Sequence, residues 1–216
     1  MATTGELTTV IAQAAGVNPQ SIIQVARNLR AGKLLSSGGR GRHAARMTIR
    51  DATLIVIAML ISDQPAAAAR AIEDCRRLTF AGQIEPGGPP QSLFCLPYGC
   101  ASEGGKALNF IDAVVYVITT LASHPGKWDD KSSYVRISFD TEDVSCQIET
   151  ESGIYIYRVI EYLASVVPKL SAKGEEALEF WTAIRGSYQH SKIWVRRTIG
   201  SEILLAIAQT FTEPQA

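Results

Sequence analysis

The sequence predicts an α+β fold that is mostly helical and contains one small antiparallel sheet. Apolar residues recur at helical spacing in several long segments, whereas three short segments, 134–139, 144–149 and 154–157, alternate in polarity as strands do. The chain has 216 residues, of which 46% are hydrophobic and 19% charged. This composition supports a packed core and excludes a chain that is disordered throughout.

Two helices are predicted at the start of the chain. The first covers residues 6–15 and stops at Gly16. The dipeptide Asn18-Pro19 then supplies an N-cap and a proline at the first helical position, which begins a second helix that ends near Arg30. One face of the second helix is apolar.

A hairpin and a buried helix are expected next. Segments 33–35 and 44–47 flank a glycine-rich turn at 36–43, in the pattern of a β-hairpin. Thr48 is a candidate N-cap with Asp51 three residues later, and the helix that follows extends to about Ser62. It is apolar nearly all round, so we expect it to be buried.

The rest of the chain is predicted from breaks and periodicity. Further helices are expected at 66–80, 106–123, 158–167, 174–185 and 193–211, and a Gly- and Pro-rich linker at 81–105. We therefore expect three parts: an N-terminal module at 1–62, a helix with the linker at 63–105, and an α+β domain for oligomerisation or partner binding at 106–216.

Charge is distributed unevenly along the chain. The whole sequence has 21 basic and 21 acidic residues, but residues 1–50 contain seven basic residues and one acid, Glu6. The first 50 residues thus carry a net charge of +6 and the remaining 166 carry −6. A basic end joined to an acidic remainder suggests an anionic partner, although a solvated cationic face is an equally simple interpretation.

Residues 11–25 match the spacing of a helix-turn-helix. Gly16 is the turn glycine, and Ala12, four positions earlier, is the small residue where the two helices touch. Apolar residues occupy the other contact positions, namely Ile11, Ala15, Val17, Ile22 and Val25. This pattern favours a DNA-binding motif, and a generic helical hairpin is the alternative.

The stretch Arg30–Thr48 resembles the wing of winged helix-turn-helix regulators and is particularly similar to that of MarR-type proteins. A Lys-Leu-Leu strand, a tip that bears glycines and arginines, and a returning strand follow the second helix in that order. The resemblance covers residues 6–50 and implies an N-terminal winged module. The periodicity of the later segments predicts that a helical domain with a small antiparallel sheet follows it. Helix 48–62 is expected to complete the three-helix core of the winged module, with a partner subunit as the alternative.

Such a module would read DNA with helix 19–30. Polar side chains at its exposed N-terminal half would contact base edges in the major groove. The first helix, the hairpin and the residues beside it would hold phosphates or the minor groove. The candidate DNA-binding residues are Thr8, Thr9, Asn18, Gln20, Ser21, Gln24, Arg27, Asn28, Lys33, Arg40, Arg42, His43 and Arg46.

The leading hypothesis is a sequence-specific, double-stranded DNA-binding transcriptional regulator. DNA half-sites occur in pairs, so a homo-oligomer is expected, with a dimer favoured. One alternative is an oligomeric DNA-binding assembly component, such as a phage packaging small subunit. Another is an adaptor or inhibitor that binds a protein partner instead of DNA, and residues 106–216 are also a possible surface for a protein partner.

No catalytic residue set, metal site or cofactor is predicted. Four residues separate Cys95 from Cys100, whereas two separate the paired cysteines of a zinc knuckle. Cys75 and Cys146 are distant from them in sequence. The first 20 residues show no secretory signal, and the longest apolar run has eight residues where a membrane span needs about 20. These features favour reduced cysteines, a cytoplasmic location and no membrane association.

Overall fold

The computed structural model describes residues 2–36, 46–62, 64–84, 109–124, 135–140, 145–150, 153–159 and 196–212. These residues form six helices and one five-stranded sheet. The helices are α1 (Thr4–Ala15), α2 (Pro19–Ala31), α3 (Ile49–Ile61), α4 (Ala68–Arg76), α5 (Phe110–Ser123) and α6 (Ser201–Gln209). The strands are β1 (Leu78–Ile84), β2 (Val135–Asp140), β3 (Ser145–Thr150), β4 (Gly153–Val159) and β5 (Arg196–Ile199). The protein is therefore mixed α and β and mostly helical, as predicted.

The sheet is antiparallel and has the strand order β1-β4-β3-β2-β5. Its register places Cys146 opposite Tyr157 and Ile148 opposite Tyr155, so alternate residues form one buried face. The ring of Tyr157 packs edge-on against Phe110 of α5, with 5.4 Å between centroids. That contact fixes α5 against the buried face of the sheet.

The buried side chains form one continuous cluster. It runs from Leu7 and Ile11 in α1, through α3 and α5, to Leu204 in α6. The first helix thus packs against both the second helix and the last one. Nothing in this cluster separates the predicted N-terminal module from the predicted C-terminal domain, and the division into three parts stays a prediction.

Helix α3 is enclosed as its sequence predicts. Thr48 and Asp51 form a capping box at its start, and nine of its 13 residues are buried. The second helix and the fourth and fifth helices pack around it. Helix α3 therefore covers the apolar side of α2 within the same chain, which agrees with the expected intramolecular arrangement.

Three predicted helices have different bounds because strands take part of their sequence. The helix predicted at 66–80 ends at Arg76, and β1 follows because it pairs with β4 along its whole length. Strand β4 continues to Val159, so residues 158 and 159 belong to the sheet and not to the start of the predicted helix. Strand β5 occupies Arg196–Ile199, so the last helix begins at Ser201 and not at 193. In each case pairing across the sheet outweighs local helix propensity.

The predicted wing is not confirmed. Residues 33–35 do not form a strand, and Lys33 has a positive φ of 57°. Arg46 forms an isolated antiparallel bridge with Thr3, and the Met47 N–H donates to the Ala2 carbonyl at 2.9 Å. Arg46 and Met47, the described part of the returning segment, therefore pair with residues 2 and 3 and not with 33–35. The tip, with Arg40, Arg42 and His43, lies outside the described residues, as do the helix predicted at 174–185 and most of the linker.

Two buried cysteines meet in the core. Cys75 of α4 and Cys146 of β3 are both free thiols, and a hydrogen bond joins them. Burial, together with the neighbouring Cys75, raises the pKa of the Cys146 thiol well above its usual value. Both side chains thus behave as small apolar core residues.

Candidate nucleic-acid interface

The second helix is amphipathic and presents a polar stripe to solvent. Ile22, Val25, Ala26 and Leu29 are buried, which leaves Gln20, Gln24 and Arg27 exposed on successive turns. Ser21 is exposed beside them. The stripe combines amide, hydroxyl and guanidinium groups, which are the groups that hydrogen-bond to base edges.

Two of the predicted DNA-binding residues, Asn18 and Asn28, have hydrogen bonds within the fold. The Asn18 side chain accepts from the Gln20 N–H at 2.9 Å and caps the helix. Asn28 is half-buried, donates to the Pro65 carbonyl at 2.6 Å and accepts from the Gln24 side chain at 3.3 Å. Asn28 therefore joins α2 to the 3₁₀ turn Pro65–Ala67, which gives its amide a structural role.

A cavity of about 290 Å³ lies between the start of α1 and the second half of α2, and its walls are largely apolar surface. Thr4, Thr8, Thr9, Arg27 and Arg30 contribute its polar side chains. Neither guanidinium forms an ion pair with a described acidic side chain. The cavity thus brings two guanidinium groups near the start of α1, where Thr3 and Glu6 already form a capping box and Glu6 adds a negative charge. The arginines, and not the helix terminus, are therefore the groups there that can hold an anion.

The hydroxyls in this cavity are engaged by the backbone. Thr8 is buried, and both it and Thr9 donate to the Gly5 carbonyl, at 3.0 and 2.9 Å. Arg30 donates one of its five N–H groups to Thr4 Oγ1 at 2.8 Å. The arginines therefore retain more donor capacity for an anion than the predicted threonines do. Sequence reasoning did not list Arg30 as a site residue.

The Arg30–Thr4 hydrogen bond joins the last turn of α2 to the start of α1. Gly16, the predicted turn glycine, follows α1 with a left-handed backbone, with φ at 63°. The helix-turn-helix crossing is not confirmed, and a helical hairpin remains the alternative.

Asp51 holds together the two ends of the segment that contains the predicted wing tip. Its carboxylate accepts from the Ser36 N–H and hydroxyl, both at 2.8 Å, and from the Thr48 N–H and hydroxyl, at 2.7 and 2.8 Å. Burial raises the pKa of Asp51, but these hydrogen bonds outweigh it and hold the pKa below its usual value. The sequence indicated only the helix cap, since nothing in the spacing revealed the contact with Ser36.

The remaining predicted cations that the structure describes are Lys33 and Arg46. Both are exposed, and they lie at the two sides of the segment 34–45. Together with Arg27 and Arg30 they place four positive charges on the N-terminal part of the fold. No group of three or more potential metal ligands occurs within the described ranges. None of the described helices is long and apolar enough to cross a bilayer.

Comparisons with protein-family models, curated proteins and solved structures gave no match. The similarity to MarR-type winged modules therefore rests on residues 6–50 of the sequence alone.

Proposed function

We propose that this protein binds double-stranded DNA through α2 and the basic segment that follows it. The observation that carries the proposal is the exposed stripe of α2, in which Gln20, Gln24 and Arg27 lie beside the arginine-lined cavity at the start of α1. A B-DNA major groove admits a single α-helix, so the stripe can face bases while the cavity receives a backbone phosphate.

Arg27 and Arg30 are the proposed phosphate contacts, and Gln24 is the proposed base contact. Arg40 and Arg42 would add charge from the glycine-rich segment, where they suit phosphates or a narrow minor groove. A role as a transcriptional regulator follows if the protein is a dimer on a two-fold site. A ring of more subunits would instead favour a packaging component.

Binding to random duplex DNA at two salt concentrations tests the proposal. We expect affinity to fall steeply with salt, because each neutralised phosphate contributes a slope of about −0.9. Replacing Arg40 and Arg42 together by Ala should weaken binding on all sequences and reduce the slope by up to about 2. Arg27→Ala should reduce it by about 1, whereas Gln24→Ala should change preference between sequences.

Arg76→Ala is the matched control, because Arg76 is also exposed but pairs with Glu73 on α4 outside the site. This variant should bind DNA as the unaltered protein does. Absence of binding at low salt, or an equal loss in Arg76→Ala and Arg27→Ala, would refute the proposal. The mass of the protein in the same buffers distinguishes a dimer from a ring.

A further inference from the structure

A second cavity lies at the other end of α1, and its lining side chains are mainly apolar. It has a volume of about 230 Å³ and lies between α1, the turn after it, α3, β5 and α6. Its lining residues are Ile11, Ala15, Val17, Val56, Met59, Leu60, Thr198, Ile199 and Ile203. Thr198 is the one polar side chain among them, and none of them is charged.

The floor of this cavity is the protein core, and its rim is partly open. Ile11, Val56 and Leu60 are at most 3% exposed, whereas Ala15, Met59 and Ile203 are half-buried. Val17 is 38% exposed and is the one exposed large hydrophobic residue in the described part of the chain. The spacing of the sequence predicts that Val17 packs against a neighbouring helix, but here it lines open space.

The limited exposure argues against a protein as the occupant. A stable protein–protein interface buries roughly 1,200–2,000 Å². One exposed valine with a half-buried rim offers far less apolar surface than that. A concave site of this size is instead suited to a small molecule.

We propose that this cavity binds a small, neutral, mainly apolar molecule with a single hydrogen-bonding group. A cavity of about 150 Å³ with similar lining accommodates benzene, so this one has room for a bicyclic ring of about nine non-hydrogen atoms. The Thr198 hydroxyl can accept or donate one hydrogen bond at the rim. A charged molecule would find no counter-ion there and would lose its hydration.

Indole is a suitable probe, because it has an apolar bicyclic body and one N–H donor. We expect it to bind the full chain, with affinity measured by calorimetric titration. At ten times its Kd it should raise the folding equilibrium constant about 11-fold, measured by denaturant unfolding. Indole-3-carboxylate, which adds a charge, should bind at least about 10-fold more weakly.

Two matched substitutions locate the site. Ala15→Leu places a larger side chain in the cavity and should abolish indole binding. Ala14→Leu makes the same change at the adjacent half-buried position of α1, outside the lining, and should leave binding unchanged. Thr198→Val keeps the side-chain shape but removes the hydroxyl, so it should weaken indole about 2- to 10-fold and leave naphthalene unaffected.

The proposal fails if no indole binding is detected at concentrations up to its solubility limit. It likewise fails if Ala14→Leu and Ala15→Leu reduce indole affinity equally, or if indole-3-carboxylate binds with the same affinity as indole. It also fails if Ala15→Leu changes the mass of the protein in solution, since a second copy would then occupy the cavity. All of these measurements are made without DNA, so they are independent of the proposed function.

Discussion

Helices α2 and α3 both have 13 residues, but most of α3 is buried whereas most of α2 is not. Nine residues of α3 are buried, against four of α2. Helix α3 has apolar residues on all sides, and neighbouring helices enclose it. Helix α2 has one apolar face, so its other face stays available for a partner.

The difference lies in the arrangement of apolar residues and not in helix propensity. In α3 the run Leu54–Ile61 leaves no polar face, and the helix gains stability from burial on all sides. In α2 polar residues recur every three or four positions and form a stripe. Helix α3 therefore serves as scaffold, and α2 carries the surface that we propose binds DNA. The first prediction below compares the two helices directly.

The largest effect is expected from truncating the same residue type in each helix. Ile57 in α3 is fully buried, so Ile57→Ala should reduce the free energy of unfolding by about 2–5 kcal/mol. Ile23 in α2 is half-buried, and Ile23→Ala should cost about 1–2 kcal/mol. Urea unfolding of both variants measures the difference. Equal losses would mean that α2 is as much a part of the core as α3.

The next largest effect concerns Asp51, at the start of α3. Asp51→Asn keeps the shape but leaves one carboxylate acceptor fewer for the Ser36 and Thr48 donors. We expect a loss of about 1–3 kcal/mol at pH 7, whereas Asp74→Asn, at an exposed acid of α4, should change stability by less than about 0.5 kcal/mol.

The pH dependence of this loss has a definite sign. The pKa of Asp51 is lower in the folded protein than in the unfolded chain, so the unfolded chain binds more protons. Its stabilisation is complete above the unfolded pKa of about 3.9 and is lost as pH falls through the folded value. The gap between the protein and Asp51→Asn should therefore be constant above about pH 5 and shrink below pH 4. A gap that grows on acidification would contradict this account.

The parts of the fold that the sequence predicted are those with local causes. Asn18-Pro19 and Thr48 begin helices because their side chains bond to nearby amides, and the structure confirms both caps. The bounds of β1 and β5 depend on pairing with strands far along the chain, which local patterns do not encode. The hydrogen bond between Arg30 and Thr4, and the bonds between Asp51 and Ser36, likewise depend on tertiary contacts. The structure exposes the predicted polar residues Gln20, Gln24 and Arg27 of α2, but the hydrogen bonds of Asn28 and Arg30 within the fold were not predicted.

A smaller effect is expected from replacing the glycines at the two ends of α1, which differ in backbone conformation but not in the space around them. Gly5 and Gly16 both have space for a Cβ atom, but only Gly16 has a left-handed backbone, with φ at 63°. Gly16→Ala should destabilise the protein by about 1–2 kcal/mol. Gly5→Ala, inside the helix, should stabilise it by up to about 1 kcal/mol. Thermal unfolding of the pair measures both signs, and a stabilising Gly16→Ala would show that the turn before α2 is not fixed by its glycine.

The smallest effect concerns the ion pair between Arg50 of α3 and Asp112 of α5, with an N–O distance of 2.6 Å. The Arg50 side chain is 54% exposed, so we expect a coupling of only about 0.2–1 kcal/mol, which salt should reduce. A double-mutant cycle with Arg50→Met and Asp112→Asn is required, because Asp112 also bonds to Asn109 at the start of α5. The cycle removes that separate contribution from the result. A coupling energy in this range leaves burial as the main source of α3 stability. A coupling energy above about 2 kcal/mol would mean that the exposed edge of α3 also stabilises it through charge, and α3 would then differ less from α2.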